Sequence, residues 1–309
     1  MIHVIDMQSR ATIQDLGRFG LRRFGISQCG AMDKLALRAG NILLGNAEDA
    51  PAIEVPLGGI TLQFQQDMNF CVTGAFYEMT LDDKPVFAYW RYQVRAGQVL
   101  KMIRAKIGMY GYLCVQGGFT LPQELNSCST DLRAQIGGIE GRGLQVGDQL
   151  QTVNDPILRS EIGIAPIPLK HTIHALPSSE YQAFKRKSQY YWWRSKWTLQ
   201  SNSDRMGYRF QGQKLELKQP LEMLSHAIQF GSVQVPPSGQ PIILMADAQT
   251  TGGYPKIANV IDADLGALAQ VRLGSTIQFE AVSLEQAAKL RRKNEIYLDQ
   301  IRRIVDEKN

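Results

Sequence analysis

The sequence predicts a mainly β protein in two β-rich halves, each a barrel or sandwich. Three observations carry that expectation. Between Ile53 and Val153, short apolar runs are separated by glycine or charged turns, a spacing that favours antiparallel strands over alternating β-α units. A strand running into Gly-Gly-aromatic occurs twice, at Tyr112–Phe119 and at Leu244–Tyr254. Each is followed by a glycine turn entering a strand, Gly147–Leu150 and Gly274–Ile277, although so short an echo does not by itself establish duplication. Finally, the proline-bearing stretch from Asp155-Pro156 to Pro166-Ile167-Pro168 reads as a linker between the halves. The expected boundaries are 1–160 for the first half with one helix near 33–44, 161–282 for the second, and 283–309 for a terminal helix.

In chain order, Ile2–Ile5 reads as the first strand. Glycine-punctuated loops follow at Thr12–Arg18 and Ser27–Asp33. Leu35, Ala36, Ala39, Ile42 and Leu43 then fall at helical spacing, with Asp33 at the N-cap and Gly45 past the C-terminus. The β runs expected next are Ile60–Phe64, Asn69–Thr73, Val86–Tyr89, Val99–Ile103, Met109–Val115 and Gln149–Val153. The second half opens with a strand at Thr172–Leu176, carries a polar turn at Ser203–Arg209, and places strands at Ile242–Ala246 and Ile257–Ile261. Asp264–Gln270 reads as a short helix capped by Asp264. Leu284, Ala287, Ala288, Leu298, Ile301 and Val305 give the C-terminus an apolar helical stripe opposite a basic face.

Composition excludes several classes. Hydrophobic residues make up 44% and charged residues 20%, so the chain is globular rather than disordered. No apolar run approaches the roughly 20 residues of a spanning helix, and Met1–Asp6 lacks the basic and apolar regions of a signal peptide. Cys29, Cys71, Cys114 and Cys128 are widely spaced with no C-x-x-C pair, which argues for a reducing, cytoplasmic setting without disulfides or zinc. His3, His171, His174 and His226 offer no helical H-x-x-x-H, so no metal site is expected. The net charge of +5 is a mild excess. Tyr190–Trp197 interleaves aromatics with bases, a pattern that can stack on single strands, but it reads better as a half-buried loop or edge strand; no nucleic-acid partner is expected. Neither G-x-G-x-x-G after a strand nor G-x-x-x-x-G-K-[ST] nor G-x-S-x-G occurs.

The stretch richest in chemistry is Ile242–Lys256. A short buried strand there opens into Asp247, Gln249, Thr250, Thr251, Gly252, Gly253, Tyr254 and Lys256. Paired glycines let a backbone approach a ligand, and polar groups at the mouth of a rigid strand are what a small-molecule site needs. An ordinary turn whose polar groups satisfy one another fits this stretch equally well.

Five segments together resemble the biotin-dependent carboxyltransferase-like family. They are Thr12-Ile13-Gln14-Asp15-Leu16-Gly17-Arg18 with Gly30-Ala31-Met32-Asp33; Ser127-Cys128-Ser129-Thr130 with Gly137-Gly138-Ile139-Glu140-Gly141-Arg142; Ser203–Arg209; Gln234-Val235-Pro236-Pro237-Ser238-Gly239-Gln240-Pro241; and Asp247–Lys256. The match is colinear from about Thr12 to Phe279. Two positions depart from the family pattern: Cys128 replaces an arginine, and Leu176-Pro177-Ser178-Ser179 replaces Leu-Pro-Gly-Pro. The family also includes the carboxyltransferase portion of urea amidolyase and a bacterial antagonist of a histidine-kinase inhibitor.

The resemblance implies cyclophilin-like β-barrel architecture for the two halves. It implies a subunit of an ATP-dependent 5-oxoprolinase that works with two other subunits, a lactam-utilisation protein and a kinase-inhibitor-like subunit. ATP, with Mg²⁺, is then the co-substrate, and biotin is not expected on this chain because no Ala-Met-Lys-Met segment is present. Two alternatives are the carboxyltransferase component of a urea-type biotin-dependent carboxylase and a non-catalytic regulator that binds a histidine-kinase inhibitor. On this reading Asp247 and Lys256 are the catalytic candidates, Asp247 orienting water or, through Mg²⁺, a phosphate, and Lys256 neutralising charge. Arg205 binds an anion, and Gln249, Thr250, Thr251, Gly252, Gly253 and Tyr254 line the substrate. Ser129, Thr130 and Asp131 face the same ligand from the first half.

Overall fold

A computed structural model describes residues 1–153, 155–158 and 161–308. The chain divides into two units, one of Met1–Arg18, Cys29–Pro168 and Glu295–Asn309, the other of Phe19–Gln28 and Leu169–Asn294. The expected linker from Asp155 to Pro168 falls partly on residues 159 and 160, which lie outside the described residues, as does the boundary drawn at 160. The terminal helix, expected as a separate segment, is shared between the two units.

In the first unit the strands form a nine-stranded antiparallel sheet, not closed on itself, along the order Thr12–Gln14, Ala52–Pro56, Val99–Val115, Ile60–Phe64, Ile2–Met7 and Gln149–Leu150. Its spine is the pair Met68–Leu81 and Val99–Val115, in register from Phe70 opposite Val115 to Leu81 opposite Leu100, with bulges between. Two strands expected at Val99–Ile103 and Met109–Val115 are therefore one. Arg104-Ala105-Lys106 looks like a charged turn, but Ala105 is buried while Arg104 and Lys106 are exposed and reach Glu78 on the neighbouring strand at 2.9 and 3.5 Å. Val86–Tyr89 is not a strand: Tyr89 sits at a φ of 66° and donates its hydroxyl to the Gly74 carbonyl at 3.1 Å.

Helix α1, Lys34–Leu43, begins where the sequence places it. The Asp33 carboxylate accepts the Ala36 N–H at 3.1 Å, and Gly45, at a φ of 72°, returns its N–H to Ile42.

The second unit holds a closed barrel of seven strands, ordered Thr172–Pro177, Lys256–Val260, Ser232–Gln234, Ile242–Leu244, Gly207–Gln211, Trp197–Leu199 and Thr276–Ala281. Thr172–Pro177 and Thr276–Ala281 pair in parallel to close the ring, which leaves no free sheet edge along it. Its core is built from Ile173, Leu199, Tyr208, Phe210, Val233, Ile243, Ile257, Ile277 and Phe279, all buried.

The aromatic-basic run is not a loop or edge strand. Arg186–Arg194 is helix α2, and Trp192 from its inner face stacks on Phe279 with centroids 4.2 Å apart. Four adjacent aromatics suit a strand by propensity, but burying Trp192 against the barrel decides the conformation. Two further helices follow: α3, Leu265–Ala269, and α4, Leu284–Lys308. Leu284 is 76% exposed, so the apolar stripe of α4 is used only at Leu298, Ile301 and Val305. Glu295 of α4 receives the Arg38 guanidinium at 2.7 and 2.8 Å. None of the helices among the described residues is long and apolar enough to cross a membrane.

Asp264 does not cap α3 as expected. A 3₁₀ turn, Asp262–Asp264, leads into the helix, and the Asp264 carboxylate turns away to Lys170 Nζ at 2.7 Å, the His174 N–H at 2.9 Å and His174 Nδ1 at 2.6 Å. Asp264 is fully buried, so its carboxylate depends on these donors in place of solvent. Asp264→Ala should destabilise the chain by about 3–5 kcal/mol, well beyond the roughly 1 kcal/mol of a lost helix cap, in urea denaturation.

Candidate functional site

The five family-like segments form two clusters, one in each unit. In the first unit the Asp15 carboxylate, itself buried, accepts from Gly17 N at 2.7 Å, Ser127 Oγ at 2.7 Å, Cys128 N at 2.6 Å and Ser129 Oγ at 2.5 Å. Arg18, fully buried, donates to the carbonyls of Ser129 at 2.6 Å and Glu124 at 3.2 Å. Gly137 and Gly138 close over this cluster: a Cβ on Gly137 would fall 2.1 Å from the Ser129 carbonyl oxygen, and one on Gly138 2.1 Å from Thr130 Oγ1.

The expected ligand residues of the first half thus have internal duties. Ser129 holds Asp15, and Asp131 caps its own turn through the N–H groups of Arg133 and Ala134 at 3.0 and 2.9 Å. The Thr130 hydroxyl is buried and makes no hydrogen bond. Cys128 is buried too. Desolvation, with Asp15 adding to it, pushes its thiol up to about 11, too high for a nucleophile at neutral pH.

In the second unit the stretch after the strand Ile242–Leu244 is pinned from below and from the side. Leu244 and Ala248 pack with Ile228, and the Ile228 N–H donates to the Thr250 carbonyl at 3.1 Å. Arg22 donates to the carbonyls of Ile228 at 2.5 Å and Gln249 at 3.3 Å, and Ser27 to that of Ala248 at 3.3 Å. Thr251–Gly252 then pairs with His226–Ala227 as a two-stranded ribbon, Gly252 opposite His226. Gln249, Thr251, Gly253 and Tyr254 stay exposed along this ledge.

The two charged pairs of the site come from distant parts of the chain. Arg205 and Asp247, expected as separate anion binder and catalyst, are each other's partners: Nε donates to Oδ2 and Nη2 to Oδ1, both at 2.8 Å. Backbone links reinforce the pair, since the Asp247 N–H reaches the Arg205 carbonyl at 2.9 Å. Both Asp247 oxygens are engaged by this fork, so the carboxylate does not offer a Mg²⁺ ligand set, and no step through Mg²⁺ is derived from it.

Lys256, only 7% exposed, lies between two groups the sequence did not single out. Its Nζ sits 3.0 Å from Glu180 Oε2 and contacts His226 Nε2, while its own N–H donates to Glu180 Oε2 at 3.0 Å. Burial raises the Glu180 carboxyl, but hydrogen bonds from Ser179 and Lys256 outweigh it and hold the group below the usual glutamate value. His226 Nδ1 lies 3.3 Å from the Leu224 carbonyl.

Glu180 follows the Ser178-Ser179 departure from the family pattern, which is the one local sign of it; His226 has no neighbour at any diagnostic spacing. Gln234, at the head of a family-like segment, was given no role by the sequence, yet it stands opposite Lys256 in the barrel.

This pairing of an open loop with buried, matched charges sits in a chain that belongs to the carboxyltransferase domain family, subdomains A and B, whose model matches residues 24–281. Two relatives place it more closely. The chain is similar to the C-type subunit of 5-oxoprolinase from Haemophilus influenzae, at 91% identity over 100% of both chains, and to its counterpart from Escherichia coli, at 48% identity over 97% of both. In fold it resembles the urea amidolyase of K. lactis, with a TM-score of 0.90 and 26% identity over 97% of this chain and 20% of that one.

Two measurements test the charge arrangement. Removing either member of the half-buried Arg205–Asp247 fork strands the other, so Arg205→Ala and Asp247→Ala should each cost about 3 kcal/mol, and the double variant clearly less than their sum, in a thermal-denaturation cycle. For Glu180, a folded-state pKa below the unfolded one means the carboxylate stabilises the fold above the unfolded value and that contribution disappears as pH falls through the folded value. Glu180→Gln should therefore destabilise at neutral pH and approach the parent as the buffer is taken to about pH 3, read by urea midpoints at both pH values.

Proposed function

We propose that this chain is the C-type subunit of an ATP-dependent 5-oxoprolinase, which opens 5-oxo-L-proline to L-glutamate while ATP goes to ADP and phosphate. The observation that carries the reading is the 91% identity to the Haemophilus influenzae protein of that name, with no part of either chain left over. The word subunit in both relatives' names supports a multi-subunit enzyme. Its other members are, on this reading, a lactam-utilisation protein and a kinase-inhibitor-like subunit, working in the cytoplasm.

The chemistry explains what the loop is for. A lactam carbonyl is resonance-stabilised and resists water; phosphorylating the ring oxygen at the expense of ATP makes the carbon electrophilic. Water adds to that carbon, the ring C–N bond breaks as nitrogen takes a proton to leave an acyl phosphate, and a second water releases phosphate and the new carboxylate. Negative charge develops on oxygen along this path, so fixed donors that bind it more tightly in the transition state accelerate the step. Lys256, held in place by Glu180 and His226, supplies such a donor. Thr250, Thr251 and the Gly252-Gly253 backbone line the approach, with Gln249 and Tyr254 at its exposed edge. Arg205 serves the substrate carboxylate only by sharing its fork with Asp247; while the pair is closed, Asp247 holds the loop rather than a water.

A second reading, carboxyl transfer, is favoured by the matched domain family and the urea amidolyase fold. One experiment separates them: glutamate and phosphate release from 5-oxoproline and ATP, by this chain alone and with the two partners. Turnover in the mixture only is the expected outcome, and Lys256→Met should lower its kcat by roughly 10²-fold. Silence from the fully assembled, folded mixture would move the weight to carboxyl transfer.

A further inference from the structure

Gln234 is 3% exposed, and its side-chain nitrogen is buried without an acceptor. An amide N–H₂ in that position is destabilising unless something arrives to accept from it. Its surroundings indicate what arrives. Gln234 ends its barrel strand directly across from Lys256, on the strand pair that also fixes Val233 opposite Ala258. Above it passes Gly252, and a Cβ there would stand 2.5 Å from Gln234 Nε2 and 3.1 Å from Ile228 Cδ1. Gly252 is not in the left-handed region, so its backbone does not call for glycine. The near approach of the Gln234 amide does.

The charges around this donor select the ligand. Lys256 is already matched by Glu180 at 3.0 Å. The Glu180–Lys256 pair therefore sums to zero. A full anion entering it meets Glu180 as well as Lys256 and gains little, whereas a neutral carbonyl oxygen gains two donors without a like-charge penalty. As that oxygen becomes negative during reaction, both donors strengthen.

We propose that Gln234 Nε2 and Lys256 Nζ together receive the carbonyl oxygen of a cyclic amide, with Gly252 as the notch that lets the Gln234 amide reach it. The proposal rests on the reading that this loop holds the 5-oxoprolinase substrate. It goes further in naming Gln234 as a substrate-binding residue and the neutral N–C=O group, rather than a carboxylate or phosphate, as what the pocket recognises.

The test follows the Gln234 side-chain N–H₂ signal in ¹H–¹⁵N correlation spectra of the full chain, identified by its loss in Gln234→Met. Titration with 2-pyrrolidinone should move it saturably, while pyrrolidine, the same ring without the carbonyl, leaves it in place. Because the Gln234 nitrogen makes no internal hydrogen bond, Gln234→Met should fold with an unchanged or raised melting temperature. In the assembled enzyme it should lower kcat/KM for 5-oxoproline roughly 10- to 100-fold. Gly252→Ala, which pushes the amide aside, should reproduce the loss of kcat/KM. A signal unmoved by saturating lactam, or kcat/KM unchanged in Gln234→Met, overturns the assignment even where the complex opens 5-oxoproline. A lactam-dependent shift in a chain whose complex is silent keeps the carbonyl subsite and discards the oxoprolinase reading.

Discussion

A lysine withdrawn from water must bring its counter-charge with it, and the Lys256 end of the barrel in the second unit is arranged around that requirement. Lys256 begins the barrel strand Lys256–Val260, which is hydrogen-bonded on one side to Thr172–Pro177 and on the other to Ser232–Gln234. The first neighbour runs on to Glu180, and the second ends at Gln234. The carboxylate thus reaches the lysine from the turn just past one paired strand, and the Gln234 backbone stands opposite it on the other. An isolated ammonium there would lose several kcal/mol to desolvation, so the barrel register and the ion pair enforce one another.

The Arg205–Asp247 fork follows the same logic at lower burial. It joins the turn before one barrel strand to the loop after another, at the open end of the strands Gly207–Gln211 and Ile242–Leu244. With the fork closed, the loop from Asp247 to Tyr254 is tethered at its start, while Lys256 tethers its end. The residues exposed between those anchors are Gln249, Thr251, Gly253 and Tyr254.

Local information in the sequence was sufficient for whatever depends on nearest neighbours. The capped helix α1, the strand Ile60–Phe64 and the glycine turns follow from residue spacing, and the mainly β class follows from their sum. The reading failed where a distant contact overrides a local sign. Arg104 and Lys106 look like a turn until Glu78 is placed beside them, and Tyr190–Trp193 looks like a strand until Phe279 gives Trp192 a surface to stack on. Asp264 looks like a cap until Lys170 and His174 claim it. The candidate site divides in the same way. Asp247, Lys256 and Arg205 stand in chemically rich or family-like segments and could be picked out, but the pairing of Arg205 with Asp247 across 42 residues could not, and Glu180 and His226, 76 and 30 residues from Lys256, carry no pattern of their own.

The path of the chain also bears on how the protein can be made. Phe19–Gln28 lies within the first half of the sequence yet belongs to the second unit, where Arg22 and Ser27 hold the ligand loop, while the first unit takes its last segment from beyond Glu295. A ribosome therefore releases neither unit complete until almost the whole chain has emerged. Folding cannot proceed one unit at a time from the N-terminus, as it does in chains whose domains are contiguous. Nor can a gene cut between Pro168 and Leu169 yield two self-sufficient halves. Each fragment would lack a piece that only the other carries.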